Sequence, residues 1–302
     1  MTSPNSRISV DLKSPGWERI VEPEPGWEVI AEDVLFGEGP VWDRSQEALY
    51  FTDICGDTIW KWSRGRREVV LRPTTKANGM FLDPNFELLV AGWGSRMVFR
   101  LRRDGSIERL ATHWKGQKLT SPNDIVMRSD GSIYFTDPPG GCLNVGMVGD
   151  DLQRYLDFAG VFRIAPDGTL SLETTDLVYP NGLCFSPDEK LLYVNCTNRR
   201  QIHVFDVAAN GALSNRRLLF QHELPERPSP DGMKCDREGN VYCTGPGGIW
   251  VHRPDGSVIC RLRIEGHVSN FGFGEADWRS LFVTMIGCVA RTRLLAAGLP
   301  SR

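Results

Sequence analysis

No stretch of this chain approaches the roughly 20 consecutive apolar residues that cross a bilayer. The segment from Met1 to Gly26 is polar, carries Pro4, Pro15, Pro23 and Pro25, and lacks the apolar centre of a secretory signal. An excess of one charge is missing too: 35 Lys and Arg stand against 38 Asp and Glu, a formal net charge of −3. That balance leaves no basic surplus for nucleic acid or anionic lipid. The eight cysteines, Cys55, Cys142, Cys184, Cys196, Cys235, Cys243, Cys260 and Cys288, contain no C-x-x-C pair, so a zinc ribbon or redox dithiol is excluded and reduced thiols are expected. Helical periodicity is nearly absent, and no G-x-S-x-G nucleophile elbow occurs. The expectation that remains is a soluble cytoplasmic protein, monomer or small homo-oligomer, whose partner is a neutral or weakly charged small molecule, with neither nucleic acid nor membrane.

What is present is repetition. A turn, a short apolar strand, a second turn and a strand rich in Tyr, Phe, Val and Thr recur along the chain. Gly39-Pro40-Val41-Trp42-Asp43 leads to Leu49-Tyr50-Phe51-Thr52-Asp53, and Asn78-Gly79-Met80-Phe81-Leu82 leads to Leu88-Leu89-Val90-Ala91. Asn123-Asp124-Ile125-Val126-Met127 leads to Ile133-Tyr134-Phe135-Thr136-Asp137, and Asn181-Gly182-Leu183-Cys184-Phe185 to Leu192-Tyr193-Val194-Asn195. Asp231-Gly232-Met233-Lys234-Cys235 leads to Val241-Tyr242-Cys243-Thr244, and a weaker sixth copy runs from Asn270 to Thr284. Asp-Gly pairs at 104–105, 130–131, 167–168 and 255–256 supply the positive-φ residue of tight hairpins. Six such units, spaced by roughly 40 to 60 residues and each worth about four short strands, predict an all-β, six-bladed β-propeller. Its expected bounds are an N-terminal arm over 1–26 and the propeller over 27–302, with Trp27-Glu28-Val29-Ile30 giving a strand to the last blade so that no long edge stays open.

In a propeller the first strand of each blade lines the central channel, so the residues opening the six repeats meet at one mouth. They are Glu38, Asn78, Asn123, Asn181, Asp231 and Asn270, and all carry side-chain oxygens. Such a set suits Ca²⁺, Mg²⁺ or Mn²⁺, with Fe²⁺ and Zn²⁺ not excluded by the donors. The competing reading is turn chemistry, because Asn-Gly and Asp-Gly at 78, 181 and 231 are common turn formers. The five histidines, His113, His203, His222, His252 and His267, fall outside the channel register.

Phe36-Gly37-Glu38-Gly39-Pro40-Val41-Trp42, Ser121-Pro122-Asn123-Asp124, Pro180-Asn181-Gly182-Leu183 and Pro230-Asp231-Gly232-Met233, in this order, resemble the signatures of the senescence-marker-protein, gluconolactonase and luciferin-regenerating-enzyme-like family. The resemblance implies hydrolysis of a small lactone to its hydroxy acid with one divalent metal ion. It implies Glu38, Asn181 and Asp231 as metal ligands, with Asp231 also the catalytic proton acceptor. Asn123 would bind substrate or a metal-bound water, and Asn78 and Ser121 join it on the substrate side. An organophosphate or fluorophosphate hydrolase on the same metal, and a non-catalytic binding propeller, are the alternatives. Some sugar lactonases place Arg where this chain has Ser121, and a carboxylate or aromatic where it has Pro138-Pro139-Gly140-Gly141. Gly140 then predicts a roomier pocket for a bulkier or less hydroxylated lactone, and the segment from Gly140 to Phe158 is read either as a lid or rim or as a plain surface loop.

Overall fold

A computed structural model describes residues 7–142, 151–224 and 226–300. Among these residues the only helical pieces are 3-10 turns at Trp17–Arg19, Pro139–Cys142 and Thr197–Arg199; the rest is strand and turn. Six antiparallel sheets form the six blades of a propeller. Blade one is built from Gly37–Asp43, Ala48–Asp53, Thr58–Ser63 and Arg66–Leu71 in sequence order from the channel outward. Blades two, three, four and five repeat the plan, with inner strands Ala77–Leu82, Ile125–Met127, Pro180–Phe185 and Met233–Cys235.

Burial follows position in the blade. Every residue of the inner strand Gly37–Asp43 is buried, whereas Arg66–Leu71 on the outside is half exposed or exposed throughout. Inner strands are covered by neighbouring blades on both faces, and so they read as continuous rather than alternating apolar runs. Between blades the core is aromatic: Trp42 of blade one stacks on Phe282 of blade six at 5.3 Å between ring centroids. Each such ring contributes roughly 1.5–3 kcal/mol through burial. The Asp-Gly turns take the predicted form; Gly105, Gly131, Gly168 and Gly256 all have φ near +85° to +90°.

Blade six closes the ring. Its inner strands Val268–Gly274, Ser280–Met285 and Gly287–Arg293 are joined on the outside by Glu28–Val34, which pairs antiparallel with Gly287–Arg293. Further upstream, Ile8–Asp11 adds a fifth strand to blade five through Val258–Ile264, pinned by a two-pronged ion pair from Arg261 to Asp11 at 2.8 and 2.6 Å. Between these two strands Ile20 and Val21 sink into the core.

The C-terminal segment crosses the far face of the ring. The Arg237 N–H donates to Ala297 O, the Gly298 N–H to Trp278 O, and the Leu299 N–H to Cys235 O. Leu299 and Pro300 cap a mainly apolar cavity of about 850 Å³, walled by inner-strand residues such as Val41, Met80, Ile125, Phe185 and Phe273. The seven described cysteines outside the 3-10 turn at Pro139–Cys142 are all free. No helix among the described residues is long and apolar enough to cross a membrane.

Candidate active site

The inner strands run in parallel from one mouth of the channel to the other, so their first residues open on one cavity and their last on the apolar one. The first cavity, of about 1220 Å³ with its open mouth, is lined by Glu38, Asn78, Asn123, Asn181 and Asp231 together. Asn270, the sixth residue of the predicted ring, is buried one layer deeper, where its amide Nδ2 donates to Glu38 Oε2 at 2.8 Å.

The repeat that looked like turn chemistry has another cause. Gly79 and Gly182 have no positive φ; they are places where two blades nearly touch. A Cβ on Gly182 would stand 2.0 Å from Asp231 O, and one on Gly79 would stand 2.6 Å from Asn123 O. The Gly182 N–H donates to Asp231 O at 3.0 Å and the Gly79 N–H to Asn123 O at 2.7 Å. Glycine after Asn78 and after Asn181 lets the channel residue of the next blade, Asn123 or Asp231, move into register, and this part of the ring of side-chain oxygens follows from that contact.

Glu38 and Asn181 are aimed by their neighbours. Glu38 Oε2 accepts from the Gly39 N–H at 2.8 Å and from Asn270, which leaves Oε1 without a protein partner among the described residues. Thr197 gives its hydroxyl proton to Pro230 O at 2.7 Å and accepts from Asn181 Nδ2 at 3.0 Å. That fixes the Asn181 amide with Oδ1 turned the other way. Asn78 Oδ1 and Asp124 Oδ2 are buried with no hydrogen-bond partner.

Three carboxylates share this neighbourhood. Burial, then the Asp124 charge, raises Glu38 to about 7. Burial, then Glu38 and Asp124, pushes Asp231 well above the usual carboxylate range, although its side chain faces the cavity. Burial likewise raises Asp124, opposed by Lys234. A cluster of this kind, with uncommitted oxygens and few counter-charges, fits a hard divalent cation. Among the described residues no three His, Cys, Asp or Glu side chains converge as metal ligands, and the amide oxygen of Asn181 is a further oxygen donor at the same cavity.

Other expectations are corrected. Ser121 does not line the cavity: it is fully buried, its N–H donates to Asp137 Oδ1 at 2.6 Å, and its Oγ donates to Pro138 O and accepts from the Gly141 N–H at 3.0 Å. It pins the double-proline loop rather than facing a ligand. The room predicted beside Gly140 is filled, because a Cβ there would meet Tyr179 Oη at 1.9 Å and the Trp93 ring at 2.4 Å. Trp93 and Tyr179 instead form an aromatic wall, with Phe36 also lining the cavity. His267 lines the cavity despite lying outside the repeat register, and burial and nearby Arg227 hold it neutral. Residues 143–150 of the expected lid or rim lie outside the described residues. The stretch that follows is anchored by Leu156 in the core and by Asp151 paired with Lys118 at 2.9 Å.

Sequence reasoning did not single out Asp124, Lys234, Trp93, Tyr179, Arg200 or Arg227. Asp124 stands directly after a channel residue and Lys234 three after another, which was the available signal. The arginines and aromatics come from loops between strands, where no repeat marks them.

Residues 36–287 match the family model described as the SMP-30/Gluconolactonase/LRE-like region. The chain is 34% identical to the gluconolactonase of Zymomonas mobilis, across 94% of this chain and 86% of that protein. It is 27% identical to the pentonolactonase XacC of Haloferax volcanii, across 86% and 84% of the two chains. The solved structure of XC5397, a gluconolactonase from Xanthomonas campestris, superposes with a TM-score of 0.87 at 31% identity, covering 95% of each chain.

Proposed function

The chain belongs to the SMP-30/gluconolactonase/LRE-like family of lactone-hydrolysing enzymes, and from that premise we propose that it opens a small lactone on one divalent cation held by Glu38, Asn181 and Asp231. The observation carrying this reading is the convergence of those three side chains on one cavity, with Glu38 Oε1 and Asn181 Oδ1 left over by their protein partners. When bound there, a divalent cation supplies Lewis-acid polarisation of the lactone carbonyl and makes water a better nucleophile near neutral pH.

The chain's own residues do the rest. Asp231, made more basic than a surface carboxylate by its surroundings, accepts a proton from the attacking water. The ring C–O bond then breaks, and the proton passes to the departing alkoxide to give the hydroxy acid. Asn78 and Asn123 present amide groups to the lactone oxygens from blades two and three, respectively. Trp93, Tyr179 and Phe36 cover the apolar faces of the ring and narrow the access of bulk water. No Ser or Cys nucleophile is required, because lactone strain lowers the barrier.

Glu38→Gln and Asp231→Asn are expected to lose calorimetrically measured divalent-cation binding and at least about 100-fold in lactone hydrolysis, as for loss of a catalytic acid or base. Their β-sheet circular dichroism is expected to match the parent. Full hydrolysis by either variant, or by protein stripped with EDTA, would refute the assignment. Turnover of phosphotriesters with lactones untouched would refute the substrate class.

A further inference from the structure

We infer that Lys234 is a built-in counter-ion of the channel site, and that its fixed charge, set against Glu38, Asp124 and Asp231, makes a divalent rather than a trivalent cation the charge that completes the cluster. The inference rests on the metal reading proposed above.

Lys234 lies on the inner strand of blade five, three residues after Asp231, so its side chain rises in the channel between the two cavities. Its Nζ donates to Met233 O at 2.9 Å and to Asn270 Oδ1 at 3.3 Å. The same Asn270 amide donates from Nδ2 to Glu38 Oε2 at 2.8 Å. One amide therefore separates the ammonium from a proposed metal ligand. Lys234 makes no direct ion pair among the described residues, so its charge is not spent on a single carboxylate. It stands instead within electrostatic reach of Glu38, Asp124 and Asp231 together.

The charge count is simple. A bound cation holds Glu38, Asp124 and Asp231 ionised, −3 in all, and Lys234 returns +1, so the inner layer, with Arg200 and Arg227 outside it at the mouth, presents −2 to whatever sits among Glu38, Asn181 and Asp231. A divalent ion makes the enclosed cluster neutral; a trivalent ion leaves it with a buried excess, which costs free energy in a low-dielectric channel. Asn270 needs no lysine to hold its orientation, because the Phe271 N–H already donates to its Oδ1 at 2.8 Å. The position thus calls for the charge of Lys234 more than for its hydrogen bond.

Calcium and terbium ions are close in size and share a preference for oxygen ligands, so the ratio of their affinities reports charge with little contribution from geometry. Terbium emission sensitised by Trp93, which lines the same cavity, reads binding directly, and calcium is measured by competition. Lys234→Met and Lys234→Gln are expected to raise the terbium-to-calcium affinity ratio by about tenfold, the order set by one charge acting across several ångströms at an effective dielectric constant of roughly 20 to 40. Lys234→Arg is expected to keep the ratio within about twofold of the parent, since it keeps the charge. Two neutral variants of different shape guard against one failing to fold, which the β-sheet spectrum checks. An unchanged ratio in a folded neutral variant overturns the counter-ion role alone. A parent protein that binds neither ion overturns the metal reading together with it.

Discussion

An asparagine amide offers a cation only one of its two ends, and at Asn181 the choice is made by Thr197. With the threonine hydroxyl committed to Pro230 O, only its lone pair faces Asn181, so the amide must turn its nitrogen there and its oxygen to the cavity. A residue that carries no chemistry itself thereby fixes which atom of its neighbour the proposed cation would meet. The same scale yields a pH prediction at His252. This ring is fully buried, accepts no partner at Nε2, and is lowered to about 4 by loss of hydration. Its folded value lies below the unfolded one near 6.5, so its contribution to stability is complete above pH 6.5 and is lost as pH falls toward 4. The span corresponds to about 3 kcal/mol. In chemical denaturation, the stability difference between the parent and His252→Phe is expected to shift against the parent by up to about that amount between pH 7 and pH 4.5. A pH-independent difference would mean that the imidazole is not held neutral.

At the scale of the element, a glycine on one strand decides where a carboxylate on the next blade sits. Gly182→Ala would drive a methyl group into Asp231 O, backbone against backbone, with no flexible side chain to yield. The expected outcome is a loss of about 1–3 kcal/mol in stability, as for an overpacked core. Lactone hydrolysis is expected to fall further than a comparable methyl group placed away from the channel would cause, because Asp231 must move. Unaltered kcat/KM and Tm in Gly182→Ala would show that the blades have slack there.

Glycine also marks how much was legible in the sequence. The repeated opening of each blade announced the propeller, the direction of the inner strands and the five oxygen-bearing side chains that line one cavity, since strand period and position in the repeat together fix which way those residues face. Ser121 shows where that reasoning stopped: its number in the motif is right, but hydrogen bonds to Asp137 and Pro138 turn it into the wall. Gly140 shows it again, because the bulk that fills its space comes from Trp93 and Tyr179, distant in sequence and on loops with no period to read. His267 entered the cavity from just before an inner strand, outside the register that the repeat supplied.

For the molecule as a whole, the ring is held shut by a strand from the opposite end of the chain. Glu28–Val34 covers the outer edge of Gly287–Arg293, with Arg291 bridging Glu28 and Glu275. Two truncations separate the roles of the N-terminal segments. Removing residues 1–26 deletes the strand Ile8–Asp11 and the buried Ile20 and Val21, and is expected to lower Tm while leaving a cooperative transition. Removing residues 1–34 also strips the closing strand, exposes a sheet edge, and is expected to abolish cooperative melting and produce aggregates in size-exclusion chromatography. Equal Tm values for the two truncations would mean that closure adds nothing.

The tail that lies across the far face turns the channel into a cul-de-sac. With Leu299 and Pro300 over the apolar end, and Lys234 and Asn270 between the two chambers, the proposed reaction brings a lactone in and sends a hydroxy acid out by the same door, one after the other. That door is flanked by Arg200 and Arg227, so the newly formed carboxylate has to pass two guanidinium groups that its uncharged precursor met on the way in.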